Sequence, residues 1–125
     1  MQGPIRAAGV VLHWAGIHEC IADLHALFPR TFAIVDGIIG MEGNGPIQGT
    51  PKQTGLVVAG ASLPAVDATC CRIMGIDPEK VEYLQMAADR YGITDAARIE
   101  QRGENIASVR TDFQLIKEYK HLRLA

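Results

Sequence analysis

Apolar and polar positions follow two rhythms along this chain, and a glycine-dense stretch separates them. Between Ala15 and Phe28, residues Ile17, Ile21, Leu24 and Phe28 recur at three-to-four spacing with Glu19 and Asp23 opposite, which predicts an amphipathic helix. Pro29 cannot continue it. Thr31 to Asp36 is rich in β-branched and aromatic residues and apolar on both faces, so it reads as a short strand inside a covered sheet. From Gly37 to Thr54 the glycines at 37, 40, 43, 45 and 49, with Pro46 and Pro51, predict one long loop. Gly55-Leu56-Val57-Val58-Ala59-Gly60 then reads as a second buried strand, and these two strands form the expected sheet centre.

Beyond Gly60 the period becomes helical. Ser62 caps a helix with Pro64 in its first turn and an apolar stripe of Leu63, Val66, Cys70, Ile73 and Met74, ending at Gly75. Asp77 caps the next, with Pro78 at its first position, a stripe of Val81, Leu84 and Ala88, and Tyr91-Gly92 as its close. Ala97 to Arg102 reads as a third, more polar strand near an edge. Thr111 with Gln114 three residues later forms a capping-box pattern ahead of a terminal helix carrying Phe113, Ile116 and Tyr119. The expected fold class is therefore α/β: a small central sheet of three or four buried strands, at least partly parallel, flanked by helices.

A chain of 125 residues and 13.5 kDa is one domain that can bury a core without staples. Hydrophobic residues at 48% and charged residues at 21% match ordinary globular chains and argue against disorder. A net charge of −2 provides no basic field for a phosphate backbone, so nucleic acid is not an expected partner. The apolar run from Ala7 to Leu12 is far shorter than the ~20 residues of a membrane span, so no membrane association is expected. Cys20, Cys70 and Cys71 cannot all pair within one chain, which fits a reducing, cytoplasmic setting.

In open α/β sheets, ligands gather beyond the carboxyl ends of the strands, where loops and helix starts offer free N–H groups. The first strand delivers Asp36 and the glycine stretch; the second delivers Gly60 and a helix with Asp67 one turn inside. Asp36 and Asp67 are accordingly the expected acid–base pair, and Asp36, Glu42 and Asp67 together suit a hard divalent cation such as magnesium or calcium. Glycine lets backbone approach a ligand, so Gly37, Gly43, Gly45, Pro46, Gly49 and Gly60 are the expected ligand-binding positions for a small molecule. Each carboxylate also has an ordinary role open to it: Asp36 in an Asx-turn, Asp67 against the helix dipole. Lys52 reads as a solvated lysine rather than an anion ligand, and His18 and His25, seven residues apart on one helix, as boundary packing. Cys70 falls in the apolar stripe while Cys71 points about 100° away; both read as structural thiols. Without a Cys-x-x-Cys run, no iron–sulphur cluster is expected in this chain alone.

The string Ile34-Val35-Asp36-Gly37-Ile38, the turn Gly43-Asn44-Gly45-Pro46, Gly49-Thr50-Pro51, Val57-Val58-Ala59-Gly60 and Ala65-Val66-Asp67-Ala68 together resemble the uncharacterised family catalogued as domain of unknown function 362. The resemblance runs from about His18 to Gly103 and covers the carboxyl-terminal part of the family's domain, so residues 1–125 are expected to be one unit, the C-terminal portion of a larger domain. It implies signature roles for Asp36, Gly37, Gly45, Pro46, Gly49, Gly60 and Asp67, but no reaction. Because members occur beside ferredoxin-like modules, a second reading is a non-catalytic subunit or docking partner in an iron–sulphur redox assembly. Strand edges left open by the shorter chain favour a homo-oligomer.

Overall fold

In the computed structural model, which describes residues 14–28, 30–91 and 93–125, helices pack around a single long β-hairpin. Helix α1 spans Ile17–Leu27, strand β1 Ala33–Asn44, strand β2 Gln48–Gly60, helix α2 Leu63–Ile73 and helix α3 Glu82–Tyr91. A single turn of helix, α4, covers Ile106–Val109, and 3₁₀ turns lie at Pro78–Lys80, Ala96–Arg98 and Lys117–Leu122.

The expected sheet of three or four partly parallel strands is not what forms. Among the described residues the sheet has two strands, β1 and β2, running antiparallel from Ala33 opposite Gly60 to Asn44 opposite Gln48. The stretch expected to be a loop is thus the far half of a β-ribbon, and its tip is Gly45–Ile47 with a cis Gly45–Pro46 bond. Residues 97–102 form no strand: the first two belong to the 3₁₀ turn at Ala96–Arg98, and 99–102 follow it in irregular backbone.

Glycine builds this ribbon rather than interrupting it. Between Gly37 and Ile39 the register shifts, and Ile38 alone faces Thr54 and Gly55; Gly55 takes a φ of +69°, as the extra residue of a glycine bulge does. Gly40 lies beneath the Phe113 ring, whose carbons would stand 2.8 Å from a Cβ at that position. A side chain there would lift the C-terminal segment off the sheet.

Along β1 the exposure alternates, with Ala33, Val35 and Gly37 half-buried and Ile34 and Asp36 outward. The inner face of the ribbon rests on α2, which also contacts α3 and α4. The core comprises Ala22, Val66, Ala68, Cys71, Ile73, Leu84, Ala87 and Phe113, with Leu84 1% exposed. Within the predicted stripe of α2, Val66 and Ile73 are buried, but Cys71 rather than Cys70 joins them.

The C-terminal segment closes over the end of α2. Gly75, at φ +71°, reverses the chain, and the N–H groups of Thr111 and Phe113 donate to Ile73 and Met74 carbonyls at 2.8 and 2.9 Å. These carbonyls are among those a helix leaves unsatisfied at its end. Asp77 N–H donates to Leu122 O at 2.7 Å, and Leu124 N–H to Gly75 O at 3.0 Å, while Ile76 and Arg123 form an isolated antiparallel bridge. The expected terminal helix is therefore only the 3₁₀ turn Lys117–Leu122, because the backbone ahead of it is committed to α2.

Candidate functional site

The three carboxylates expected to converge occupy three different settings. Asp36 is outward-facing on β1 opposite Val57, and its Oδ1 accepts from the Ile38 N–H at 3.0 Å, the Asx-type turn open to it from sequence. Glu42 lies six residues further along the same strand, opposite Thr50, roughly 20 Å away at strand rise. Its Oε2 accepts from Gln114 N–H at 2.9 Å and from Lys52 Nζ at 3.0 Å, and these contacts, the backbone one first, hold its carboxyl below the usual range. Among the described residues no three His, Cys, Asp or Glu side chains gather to hold a metal ion.

Lys52 is not the solvated lysine expected. Its ammonium also donates to Asp112 O at 2.8 Å and stands 5.5 Å from the centre of the Phe113 ring. It joins the ribbon to the C-terminal segment.

Asp67 lies half-buried on the wall of an apolar groove. One face of α2, with Leu63, Pro64 and Asp67, borders a groove of about 300 Å³ whose other walls are α1 and α3. Ile21, Leu24, Phe28 and Leu84 make it apolar, and its polar groups are Asp67, Tyr83, His25 and Thr31. Tyr83 Oη donates to Asp67 Oδ2 at 3.2 Å. Burial pushes the Asp67 carboxyl up, and the Tyr83 hydrogen bond opposes that. Tyr83 is raised in turn, by its own burial first and the Asp67 charge second.

The histidines of α1 pack as the spacing indicated. His18 stacks on Tyr83 with ring centres 6.2 Å apart and its Nε2 3.4 Å from Glu82, while His25 meets Tyr91 edge-on at 4.3 Å. Nδ1 of His25, on the wall of the groove, is buried without a hydrogen-bond partner among the described residues.

The other face of α2 borders a larger cavity of about 540 Å³. Ser62, Val66 and Thr69 line it with Gly60, Arg98 and Arg102. Successive helical residues turn by about 100°, so α2 sends Asp67 to the groove and Thr69 to the cavity. Gly60 thus lies on a cavity wall, whereas Gly37, Gly43, Gly45, Pro46 and Gly49 belong to the ribbon and line neither space. Gly60 is close-packed as well: a Cβ there would stand 2.8 Å from Val66 Cγ2.

Cys70 and Cys71 are structural in setting. Burial, with the Asp67 charge next, pushes the Cys71 thiol up to about 12, and the same two causes raise Cys70. Sequence reasoning missed Tyr83, which lies 16 residues from Asp67 and meets it only because α3 packs on α2. No local pattern marks such a pair.

A family model described as "Domain of unknown function (DUF362)" matches residues 4–72, beginning and ending earlier than the stretch whose motifs first suggested it. A relative from Synechocystis sp., named "Thylakoid-associated protein sll1697", is 35% identical over 79 residues. The match covers 63% of this chain but only 24% of the relative. No solved structure matches the chain. Among the described residues no helix is long and apolar enough to cross a membrane.

Proposed function

The chain belongs to the family described as Domain of unknown function (DUF362), and we propose that it binds a small, mostly apolar molecule bearing one basic or hydrogen-bond-donating group, with Asp67 as the acid–base residue. The observation carrying this is a half-buried carboxylate in an apolar groove, hydrogen-bonded by Tyr83, with His25 also lining the groove. Apolar walls with a few converging polar groups are the usual form of a small-molecule site. A carboxyl shifted upward by burial is suited to proton transfer nearer neutral pH than a solvated one. Asp36 has no part in this site.

Titrating the ¹⁵N-labelled protein with benzylamine and with benzyl alcohol tests the reading. Benzylamine is expected to shift the amides of Ala22, Asp67, Leu84 and Ala87 and to bind about tenfold tighter than the alcohol, a preference that Asp67→Asn removes. Absence of shifts along the groove with either compound would sink the proposal.

The alternative, a non-catalytic docking subunit in an iron–sulphur redox assembly, is favoured by the apolar residues left outward on the ribbon. A thylakoid-associated location, as the relative's name prints it, belongs to that reading, whereas the reducing cytoplasmic one belongs to the first. Failure to capture a ferredoxin-like protein on immobilised chain would remove the docking alternative.

A further inference from the structure

Independently of the Asp67 groove, we infer that the cavity on the other face of α2 binds an elongated organic acid, with its anionic head at the start of α2 and its far end at Thr69. At about 540 Å³ the space has the size of a small-molecule site. Its walls come from β2, α2 and the 93–109 segment. Exposure alternates along the end of β2, so Leu56 and Val58 turn inward while Val57 and Ala59 stay outward. Leu56, Val58, Ile93, Ile99 and Val109 all border this space, and all five are only half-buried. An apolar ligand body would complete their burial.

Donors without acceptors mark the head. Ser62 holds the N-cap position of α2, yet its side chain makes no capping hydrogen bond. Pro64 has no N–H to offer, so the Ala65 N–H is the donor that an N-cap serine would ordinarily satisfy, and it has no acceptor among the described residues. The first turn carries no acidic residue, so the positive end of this 11-residue helix is uncompensated there. Ser62 and Ala65 both line the cavity, as does Arg98, which makes no ion pair among the described residues. Together these groups suit a carboxylate.

Thr69 marks the other end. Its side chain is 9% exposed, lines the cavity and makes no hydrogen bond among the described residues, although a buried hydroxyl is ordinarily satisfied. Seven residues along α2 place it roughly 10 Å from Ser62 on the same face. The start of α2 alone would attract any anion; the orphaned hydroxyl deep in the same space calls for a second polar group on the ligand. Of the carboxylates on the wall, Glu100 is taken up by Arg102, through Nε and Nη2 at 3.1 and 2.6 Å, while Glu104 carries a charge that opposes an anion. The acid is therefore held by directed donors rather than by net charge.

Titrating the ¹⁵N-labelled full chain with 8-hydroxyoctanoate, octanoate and 1,8-octanediol tests this, with circular dichroism confirming that each variant folds. The hydroxy acid can reach both ends, and is expected to shift the amides of Val58, Thr69 and Ile99. It should bind about tenfold tighter than the diol and about threefold tighter than octanoate. Arg98→Gln should remove most of the preference over the diol; Thr69→Val should remove the preference over octanoate, and Thr69→Ser should keep it. Ser62→Ala, which breaks no capping bond, should weaken both acids about threefold without moving the urea midpoint. Shifts confined to Leu84 and Ala87 would place the acid in the groove instead and overturn the inference. Absence of shifts with all three compounds, or preferences that survive Arg98→Gln and Thr69→Val, would overturn it equally.

Discussion

Replacing Tyr83 with Phe removes one oxygen and, with it, the donor that Asp67 Oδ2 uses at 3.2 Å, while leaving the ring against His18. A hydrogen bond to a charged group contributes about 1.5–3 kcal/mol; Asp67 is only half-buried, so water recovers part of that and about 1–2 kcal/mol is expected at pH 7. The pH dependence is the sharper signature. Burial has already raised the folded carboxyl above its ordinary value, so its contribution to stability is fully present below the unfolded value and declines as pH rises through the folded one. Tyr83→Phe raises the folded value further, because the donation that favoured the charged form is gone. The decline in the variant is therefore larger and extends to higher pH. Below the unfolded carboxylate value both proteins carry a neutral Asp67, and the difference should contract to roughly 0.5 kcal/mol, the lower end for a neutral hydrogen bond. Urea unfolding of both proteins at pH 3.5 and pH 7, compared pairwise so that other carboxylates cancel, measures this. A difference that is equal at the two pH values, or larger at pH 3.5, would refute the role assigned to Tyr83.

Gly40→Ala should cost about 1–2 kcal/mol in wild type, since its Cβ meets the Phe113 ring at 2.8 Å, and nearly nothing after Phe113→Leu; chemical denaturation of the four proteins gives the coupling directly. Leu84→Ala, at a side chain that is 1% exposed, should destabilise by about 3–4 kcal/mol without changing the slope of the urea transition. With its thiol pushed up to about 12, Cys71 should alkylate with iodoacetamide at pH 8 roughly a thousand times more slowly in the native protein than in urea, as followed by mass spectrometry.

The helices were legible because their apolar stripes and caps are local: Asp77 does cap the turn that Pro78 begins, and α1 and α2 lie within a residue or two of their expected bounds. The two strands were legible as neighbours, for Asp36 does face Val57. Their direction was not. An apolar run such as Phe32-Ala33-Ile34-Val35 suits a doubly covered parallel strand or one edge of a ribbon equally well, and only the partner decides. The misread glycines explain the rest. At Gly40 glycine admits a ring from 73 positions away in the chain, and at Gly55 it makes a bulge, requirements invisible to local composition. Once β1 and β2 are antiparallel, the carboxyl end of one lies at the ribbon tip and that of the other at its base. The premise that brought Asp36, Glu42 and Asp67 together then fails.

What replaces that premise is α2 as the element that organises the site. Its amino end is fixed where Val66 packs against Gly60, its carboxyl end where the 111–124 segment takes up the last carbonyls, and its middle by Ala68 and Cys71 in the core. Asp67 and its Tyr83 partner therefore rest on packed helices, the arrangement that holds a reacting group in place. The groove's third wall is different. Helix α1 buries Ala22 and meets α3 through the His18–Tyr83 stack, the His25–Tyr91 ring contact, the surface Arg90–Asp23 ion pair and a 3.5 Å contact from Tyr91 Oη to Ala22 O, while Leu27 remains 71% exposed. A wall with so little burial is the first to open on physical grounds. Recognition by this groove would then have a fixed polar side, set by α2 and α3, and an adjustable apolar side, set by α1, so that Asp67 selects the head group and α1 accommodates the rest of the ligand.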